Sequence, residues 1–104
     1  MFDHKGYLKV TDFGIARQWT MDNSKETSGT PGYMAPEVMC KQNHGVAVDF
    51  YAVGVIAYEC MLGERPYNGR GRKEIRDAIL NKQVQIEPDE IPLGWSAEAA
   101  DFIN

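Results

Sequence analysis

The feature that most constrains the fold of this chain is the long, mostly apolar run from Val46 to Leu62. Only Asp49, Gly54 and Glu59 interrupt this run. A membrane span would need about 20 residues, and an aspartate near its interior would cost roughly 2.5–3.5 kcal/mol. The run is also too long for a β-strand. It therefore predicts a central helix over about residues 46–62, apolar on nearly all sides and placed at the centre of a core.

The remaining patterns predict a fold that is mainly α with a short β-hairpin remnant. The hairpin would turn at residues 3–6, where Gly6 suits a positive φ, and a short strand would follow over residues 7–16. Residues 72–82 have the spacing of an amphipathic helix. Ser96 is placed to cap a further helix that continues for about two turns to the end of the chain. Because both ends resemble interrupted elements, we expect a fragment of a larger domain.

Composition sets broad limits on function. A chain of 104 residues is long enough for one small domain. The net charge of −4 gives no support for nucleic-acid binding, and the beginning of the chain lacks the apolar stretch of a secretory signal. Two cysteines do not make a disulfide framework. These features favour a reducing, cytoplasmic setting with neither a nucleic acid nor a membrane as partner.

Three sequence motifs occur in a diagnostic order. "TDFGIA" (Thr11 to Ala16) is followed by "GTPGYMAPE" (Gly29 to Glu37) and then by "VDFYAVGVIAYECMLGERPY" (Val48 to Tyr67). In this order and spacing they resemble the activation segment and central helix of a protein kinase, in its serine/threonine form. The "GERPY" turn resembles the AGC and calmodulin-dependent-type kinases. The resemblance implies a partial protein-kinase-like C-lobe over residues 1–104, with the activation segment at residues 12–37.

The resemblance also implies a function and its cofactors. A kinase of this type transfers the γ-phosphoryl group of ATP to Ser or Thr of protein substrates with the help of Mg²⁺. Asp12 would be the metal ligand at the nucleotide, because a carboxylate at a strand end can hold Mg²⁺ by oxygen ligation. Phe13 would pack inward beside it, and Gly14 would let the backbone turn sharply. For the Asp-Phe-Gly tripeptide taken alone, the alternative is a surface aspartate in an ordinary turn.

Substrate-binding roles are implied for the end of the activation segment. Thr30 would orient the phosphoacceptor, and Thr27, Pro31 and Met34 would form an apolar pocket for the residue that follows the acceptor. Glu59 has two open interpretations. It would contact an arginine of a basic substrate, or it would pair within the protein as an ordinary helix acid.

Regulatory roles are implied for Glu26, Thr27 and Ser28. Related kinases often carry a phosphorylated threonine three residues before the glycine of "GTP", and here Glu26 has that position. A carboxylate there would pair with an arginine cluster without waiting for another kinase, although with less charge than a phosphate. Two alternatives stay open: Thr27 is the phosphorylated switch, or Glu26 is a solvated loop acid.

Two further acids have implied structural roles. Glu37 closes the segment, and in the family it pairs with an arginine on a later helix, which we expect beyond Asn104. Within these residues a solvated glutamate is the better expectation. Asp49 would hydrogen-bond to the backbone of the catalytic loop, or its negative charge would simply interact favourably with the positive end of its helix dipole.

Several kinase motifs are not among these 104 residues. They contain no glycine-rich phosphate loop, no VAIK-like lysine and no HRD-type catalytic loop. We therefore expect the isolated residues to be inactive and to require the N-lobe and catalytic loop of the same kinase as partners. A pseudokinase or scaffold that acts as a binding module is the alternative, as is a truncated product without independent function.

Overall fold

The computed structural model describes all residues from Met1 to Asn104, and its regular structure is almost entirely helical. Phe2 and Leu8 form an isolated antiparallel bridge, which is the whole of the β structure. The mainly α fold with a hairpin remnant is thus confirmed. The helical elements are α1 (Pro36–Met39), α2 (Ala47–Leu62), α3 (Arg72–Asn81), α4 (Ala97–Ile103) and two short 3-10 helices, Pro31–Tyr33 and Pro88–Glu90.

The hairpin remnant at the beginning of the chain is held by its turn. Gly6 has a φ of 84°, as its turn position predicted. The Asp3 carboxylate accepts hydrogen bonds of 2.9 Å from two backbone amides of the same turn. The strand expected over residues 7–16 is wrong beyond the single bridge at Leu8. A strand needs a neighbour to satisfy its backbone groups, and none of the described residues supplies one past that bridge.

Helix α2 begins and ends where local signals predict. Asp49 lies in its first turn, where a negative charge interacts favourably with the helix dipole. Gly63 follows the last helical residue with a left-handed φ of 80°, and its amide donates to the Glu59 carbonyl at 2.9 Å. This arrangement satisfies an otherwise free carbonyl at the end of the helix.

The expectation that α2 lies at the centre of a core is wrong for this chain. Only Val55 and Met61 of the helix are buried. Phe50 is 72% exposed, and Val53 and Ile56 are about half exposed. Within the described residues, other elements cover α2 on one side only, and its opposite apolar side faces solvent.

The buried residues form two separate clusters. The first joins the end of the activation segment to α3 and is made of Met34, Ala35, Val38, Met39, Tyr67 and Ile75. The second joins the end of α2 to α4 through Met61, Ile86 and Ala100. The first cluster therefore anchors residues 31–39 on the helical layer and sets their position.

The two shorter helices follow their sequence signals. Helix α3 presents Ile75 to the first cluster, while most of its charged residues are exposed. Ser96 caps α4 by accepting a hydrogen bond from the Ala99 amide at 3.1 Å. None of the helices combines the length and the apolar character that crossing a bilayer would require.

Candidate functional site

Asp12 has a strained backbone at the start of the activation segment. Its φ of 62° lies in the left-handed region, which is uncommon for a residue other than glycine. Such conformations cluster at functional sites because the surrounding structure must maintain them. Gly14 lies in the following turn, closed by a 3.1 Å hydrogen bond from the Ala16 amide to the Phe13 carbonyl. Gly14 itself has no positive φ, so the unusual conformation belongs to Asp12.

A cavity of about 890 Å³ gathers several of the predicted site residues. It lies between the first half of the activation segment and the beginning of α2, and Asp12, Phe13, Glu26, Ser28 and Asp49 are among the residues that line it. These residues were predicted to serve three different roles, in metal binding, regulation and support. The fold therefore brings one or two residues of each predicted class to one cavity, whereas Gly14, Thr27 and Glu37 do not line it.

The Asp12 carboxylate is suited to hold one coordination position of a metal ion. It is exposed at the cavity and forms no ion pair within the chain. A Cβ added to Gly14 would lie 3.5 Å from one carboxylate oxygen, which is an ordinary van der Waals contact. No group of three potential metal ligands occurs in the structure. This donor set fits Mg²⁺, which is commonly bound by one or two carboxylates together with water and substrate phosphates.

Phe13 does not pack inward within the described residues. Its side chain is 68% exposed at the cavity, contrary to the expected inward packing. The physical reason is the one that leaves α2 uncovered: no other part of these 104 residues lies over this side of the molecule.

The two acids with predicted structural roles are both without an ionic partner here. Asp49 is exposed in the first turn of α2. Glu37 is half-buried in the first turn of α1, and its charge is one of the factors that raise the pKa of Tyr51. Neither takes part in the two ion pairs of the structure, Lys9–Asp3 and Arg76–Asp77.

The predicted substrate-binding residues lie together on a different surface from the cavity. Thr30 is exposed directly before the 3-10 helix and its carbonyl accepts from the Tyr33 amide at 3.0 Å. Pro31 is half-buried, and Met34 is buried in the first cluster. The half-buried Thr27 precedes them. The first cluster therefore fixes the backbone of this segment while Thr30 stays accessible.

Glu59 contacts this segment from α2. The Tyr33 hydroxyl donates a 2.7 Å hydrogen bond to a Glu59 carboxylate oxygen. This hydrogen bond is the main factor that raises the pKa of the Tyr33 phenol, and burial and the Glu59 charge add to it. The structure thus contains the internal pairing that was one of the two interpretations of Glu59.

Some contacts of the activation segment involve residues that the sequence interpretation did not single out. Arg65, in the turn after α2, lies over the Tyr33 ring with its guanidinium carbon 5.7 Å from the ring centre. Arg72, the first residue of α3, donates to the Thr27 carbonyl at 3.4 Å. Asn23 is buried and bonds to the loop before α2. The amphipathic spacing of residues 72–82 predicted only a helix and gave no signal for the Arg72 contact.

Comparisons with known proteins agree with the motifs. The family model described as "Protein kinase domain" matches residues 1–104. A Caenorhabditis elegans protein named "cAMP-dependent protein kinase, catalytic subunit-like" is 33% identical over the whole chain, which corresponds to 25% of that relative. Drosophila melanogaster "Protein kinase C" is 36% identical, also over the whole chain and 14% of the relative.

A third relative is human "Serine/threonine-protein kinase Sgk1", which is 37% identical over 86% of this chain and 21% of its own length. The chain thus spans about a quarter or less of the length of these curated relatives. The family match and the relatives confirm the resemblance that the motifs indicated. The chain belongs to the protein kinase family, in its AGC-like serine/threonine branch.

Proposed function

We propose that the full-length protein is an intracellular protein kinase that transfers the γ-phosphoryl group of ATP to Ser or Thr of protein substrates. The observation that carries this proposal is the strained Asp12, whose carboxylate has no ion-pair partner among these 104 residues and faces a cavity of about 890 Å³. Family membership and the names of the relatives support the same reaction. The two free cysteines are compatible with a reducing compartment.

The proposed role of Asp12 follows from the chemistry of phosphoryl transfer. This reaction depends mainly on positioning and on neutralising the charge of the phosphates. Mg²⁺ would supply that neutralisation when it is held at the nucleotide. Asp12 would hold the ion through its carboxylate, and the left-handed backbone would direct that side chain.

The proposed role of the second surface is to receive the protein substrate. Thr30 would orient the acceptor hydroxyl, because it is exposed on a backbone that the first cluster fixes. Pro31, Met34 and Thr27 would border the position of the residue that follows the acceptor. Glu59 would act indirectly, by holding the Tyr33 ring against the segment through their hydrogen bond.

Asp12→Asn in the full-length protein tests this proposal. The neutral amide keeps the size of the side chain but loses the charge that holds Mg²⁺, so transfer of labelled phosphate to a protein or peptide substrate should fall by at least about a hundredfold. Asp22→Asn is the matched control, since Asp22 is an exposed loop aspartate that does not line the cavity. Equal activity of the Asp12→Asn variant and the unchanged protein would refute the proposed role. Absence of phosphate transfer by the unchanged protein would favour the pseudokinase or scaffold alternative.

A further inference from the structure

Two arginines from outside the activation segment lie against its substrate-docking part, residues 27–34, which we call the docking segment. Arg65 belongs to the turn that follows α2, and Arg72 is the first residue of α3. They approach the docking segment from two different elements, the turn after α2 and the beginning of α3. The fold, and not local sequence, therefore brings both guanidinium groups to this segment.

Arg65 occupies space that a glycine leaves open. A Cβ added to Gly32 would overlap the guanidinium group, with the Arg65 Cζ only 3.1 Å away. The same group lies over the face of the Tyr33 ring, with Cζ 5.7 Å from the ring centre. This is the distance range of a cation–π contact, which orients the guanidinium of the half-buried Arg65 over the ring.

Arg72 borders the residues that are proposed to receive the substrate residue after the phosphoacceptor. Its Nη2 donates to the Thr27 carbonyl at 3.4 Å and lies 3.7 Å from the Met34 sulfur. Both are long contacts to uncharged acceptors. A guanidinium has five N–H donors in a planar fork, so most of the donor capacity of Arg72 is left for another partner.

Neither arginine forms an ion pair with an acid of these 104 residues. The two ion pairs of the structure, Lys9–Asp3 and Arg76–Asp77, involve neither of them. Glu59 is the nearby acid on α2, and one of its carboxylate oxygens accepts the Tyr33 hydroxyl. Glu74 follows Arg72 on α3 and accepts from the Arg70 backbone amide. The docking segment is thus flanked by two cations, although the whole chain is acidic, with a net charge of −4.

We propose that Arg65 and Arg72 make the docking segment select acidic substrates, with an Asp or Glu directly after the phosphoacceptor. This inference rests on the proposed kinase function and names its substrate class. A carboxylate next to the acceptor can pair with the free N–H donors of Arg72 in a charge-assisted, bidentate contact. A basic side chain at the same position meets an unneutralised guanidinium and is repelled. The pocket that the sequence predicted as apolar therefore has an apolar floor at Met34 and a cationic rim.

A matched peptide series phosphorylated by the full-length protein tests the proposal. The peptides share one acceptor serine and differ in the next residue, which is Glu, Gln, Leu or Arg. We expect kcat/KM to be about tenfold higher for Glu than for Gln, which corresponds to about 1.4 kcal/mol. The Arg peptide should be the poorest substrate. Equal values for Glu and Gln, or a preference for Arg or Leu, would overturn the inference.

Substitutions of the two arginines test whether they cause the preference for an acidic residue after the phosphoacceptor. Arg72→Gln should remove most of the Glu-over-Gln ratio of kcat/KM, whereas a merely structural role would lower kcat/KM for both peptides and leave their ratio intact. Arg72→Lys should keep part of the ratio, and Arg65→Gln should reduce it. Arg76→Gln is the control, because Arg76 lies on the same helix but is paired with Asp77. A full ratio in both Arg65→Gln and Arg72→Gln would also overturn the inference.

The peptide series distinguishes a failure of the acidic preference from a failure of the proposed kinase function. Phosphorylation of some peptides without an acidic preference rejects the inference and leaves the kinase function standing. Phosphorylation of no peptide and no protein by the unchanged protein rejects the kinase function, and the inference with it. A melting curve shows whether each variant folds. If Arg72→Gln does not fold, the Glu-over-Gln ratio of kcat/KM in the conservative Arg72→Lys variant decides the outcome.

Discussion

The Asn23 side chain and the His44 backbone hydrogen-bond to each other in both directions. Asn23 Nδ2 donates to the His44 carbonyl at 2.6 Å, and the His44 amide donates to Asn23 Oδ1 at 2.8 Å. The Asn43 side-chain oxygen accepts from the backbone amides of Asn23 and Ser24, each at 2.9 Å. We call Asn23, Asn43 and His44 the asparagine clasp. It joins the middle of the activation segment to the loop before α2.

Asn23→Ala should release the middle of the activation segment from this loop. Asn23 is only 6% exposed, and its loss leaves the part-buried His44 amide without a partner, whereas the His44 carbonyl still accepts from Trp19 Nε1 at 2.9 Å. An unpaired buried amide costs roughly 1–3 kcal/mol. Hydrogen exchange on the full-length protein should therefore show protection at residues 43–45 lowered by roughly 1–3 kcal/mol. Asn81→Ala is the control, because Asn81 is exposed and bonds only to the Asp77 carbonyl of its own helix. Unchanged protection at residues 43–45 would contradict the role of the clasp.

Glu26 should give the full-length protein basal activity without phosphorylation of the activation segment. Glu26 is exposed, forms no ion pair within these residues and lines the same cavity as Asp12. Its charge is therefore available to an arginine cluster outside this chain. In protein kept unphosphorylated, Glu26→Gln should lower activity by about tenfold, the ratio given by one charge-assisted pair of about 1.4 kcal/mol.

Thr27→Ala distinguishes the competing account of this regulation. Full activity of Glu26→Gln together with loss of activity in Thr27→Ala would make Thr27 the switch. Full activity in both variants would make Glu26 a solvated loop acid. Because the Thr27 carbonyl and not its hydroxyl receives Arg72, the alanine variant keeps that contact.

Stability should fall as the pH rises above about 10, with Tyr51 as a main contributor. Burial, followed by the negative charge of ionised Tyr67 and of Glu37, raises the pKa of Tyr51 to about 12. An unfolded tyrosine ionises at about pH 10. Between these two values the folded state binds more protons than the unfolded state, so the free energy of unfolding decreases with rising pH. Burial likewise raises the pKa of Tyr58 and Tyr67.

Tyr51→Phe checks the tyrosine prediction directly. Denaturant midpoints of the full-length protein at about pH 9 and about pH 11 should differ less in Tyr51→Phe than in the unchanged protein. Tyr7→Phe should behave like the unchanged protein, since the Tyr7 side chain is 65% exposed. An equal decline in the Tyr51→Phe variant would show that this phenol does not contribute.

The isolated 104 residues should fold weakly. One side of α2 exposes Phe50, Val53 and Ile56, and a second cavity of about 370 Å³ between α2 and α4 is lined largely by apolar residues. Each large apolar side chain left in water forfeits roughly 1.5–3 kcal/mol, against a typical domain stability of about 5–15 kcal/mol. We expect a broad thermal transition and binding of an apolar dye. A cooperative transition with full amide protection in α2 would contradict this prediction. The same preparation should transfer no labelled phosphate.

Features set by one residue and its near neighbours in the chain could be predicted from the sequence alone. Gly6 has the positive φ that its turn position indicated, and Ser96 caps α4 as predicted. The apolar run does form the long helix α2, and the order of the kinase motifs identified the family. These features depend on backbone sterics, on hydrogen bonds across three or four residues, or on a linear pattern, all of which are present in the sequence itself.

Features that depend on distant partners were decided only by the tertiary structure. Residues 7–16 alternate like a strand, but a strand forms only where another strand satisfies its backbone. The left-handed residue is Asp12, although Gly14 is the residue for which that conformation is least costly. Asn23 is separated from His44 by about twenty residues, and Arg72 from Thr27 by 45, so no local pattern indicates either contact. Hydrogen bonds and charges act through space, and only the folded chain determines which residues they join.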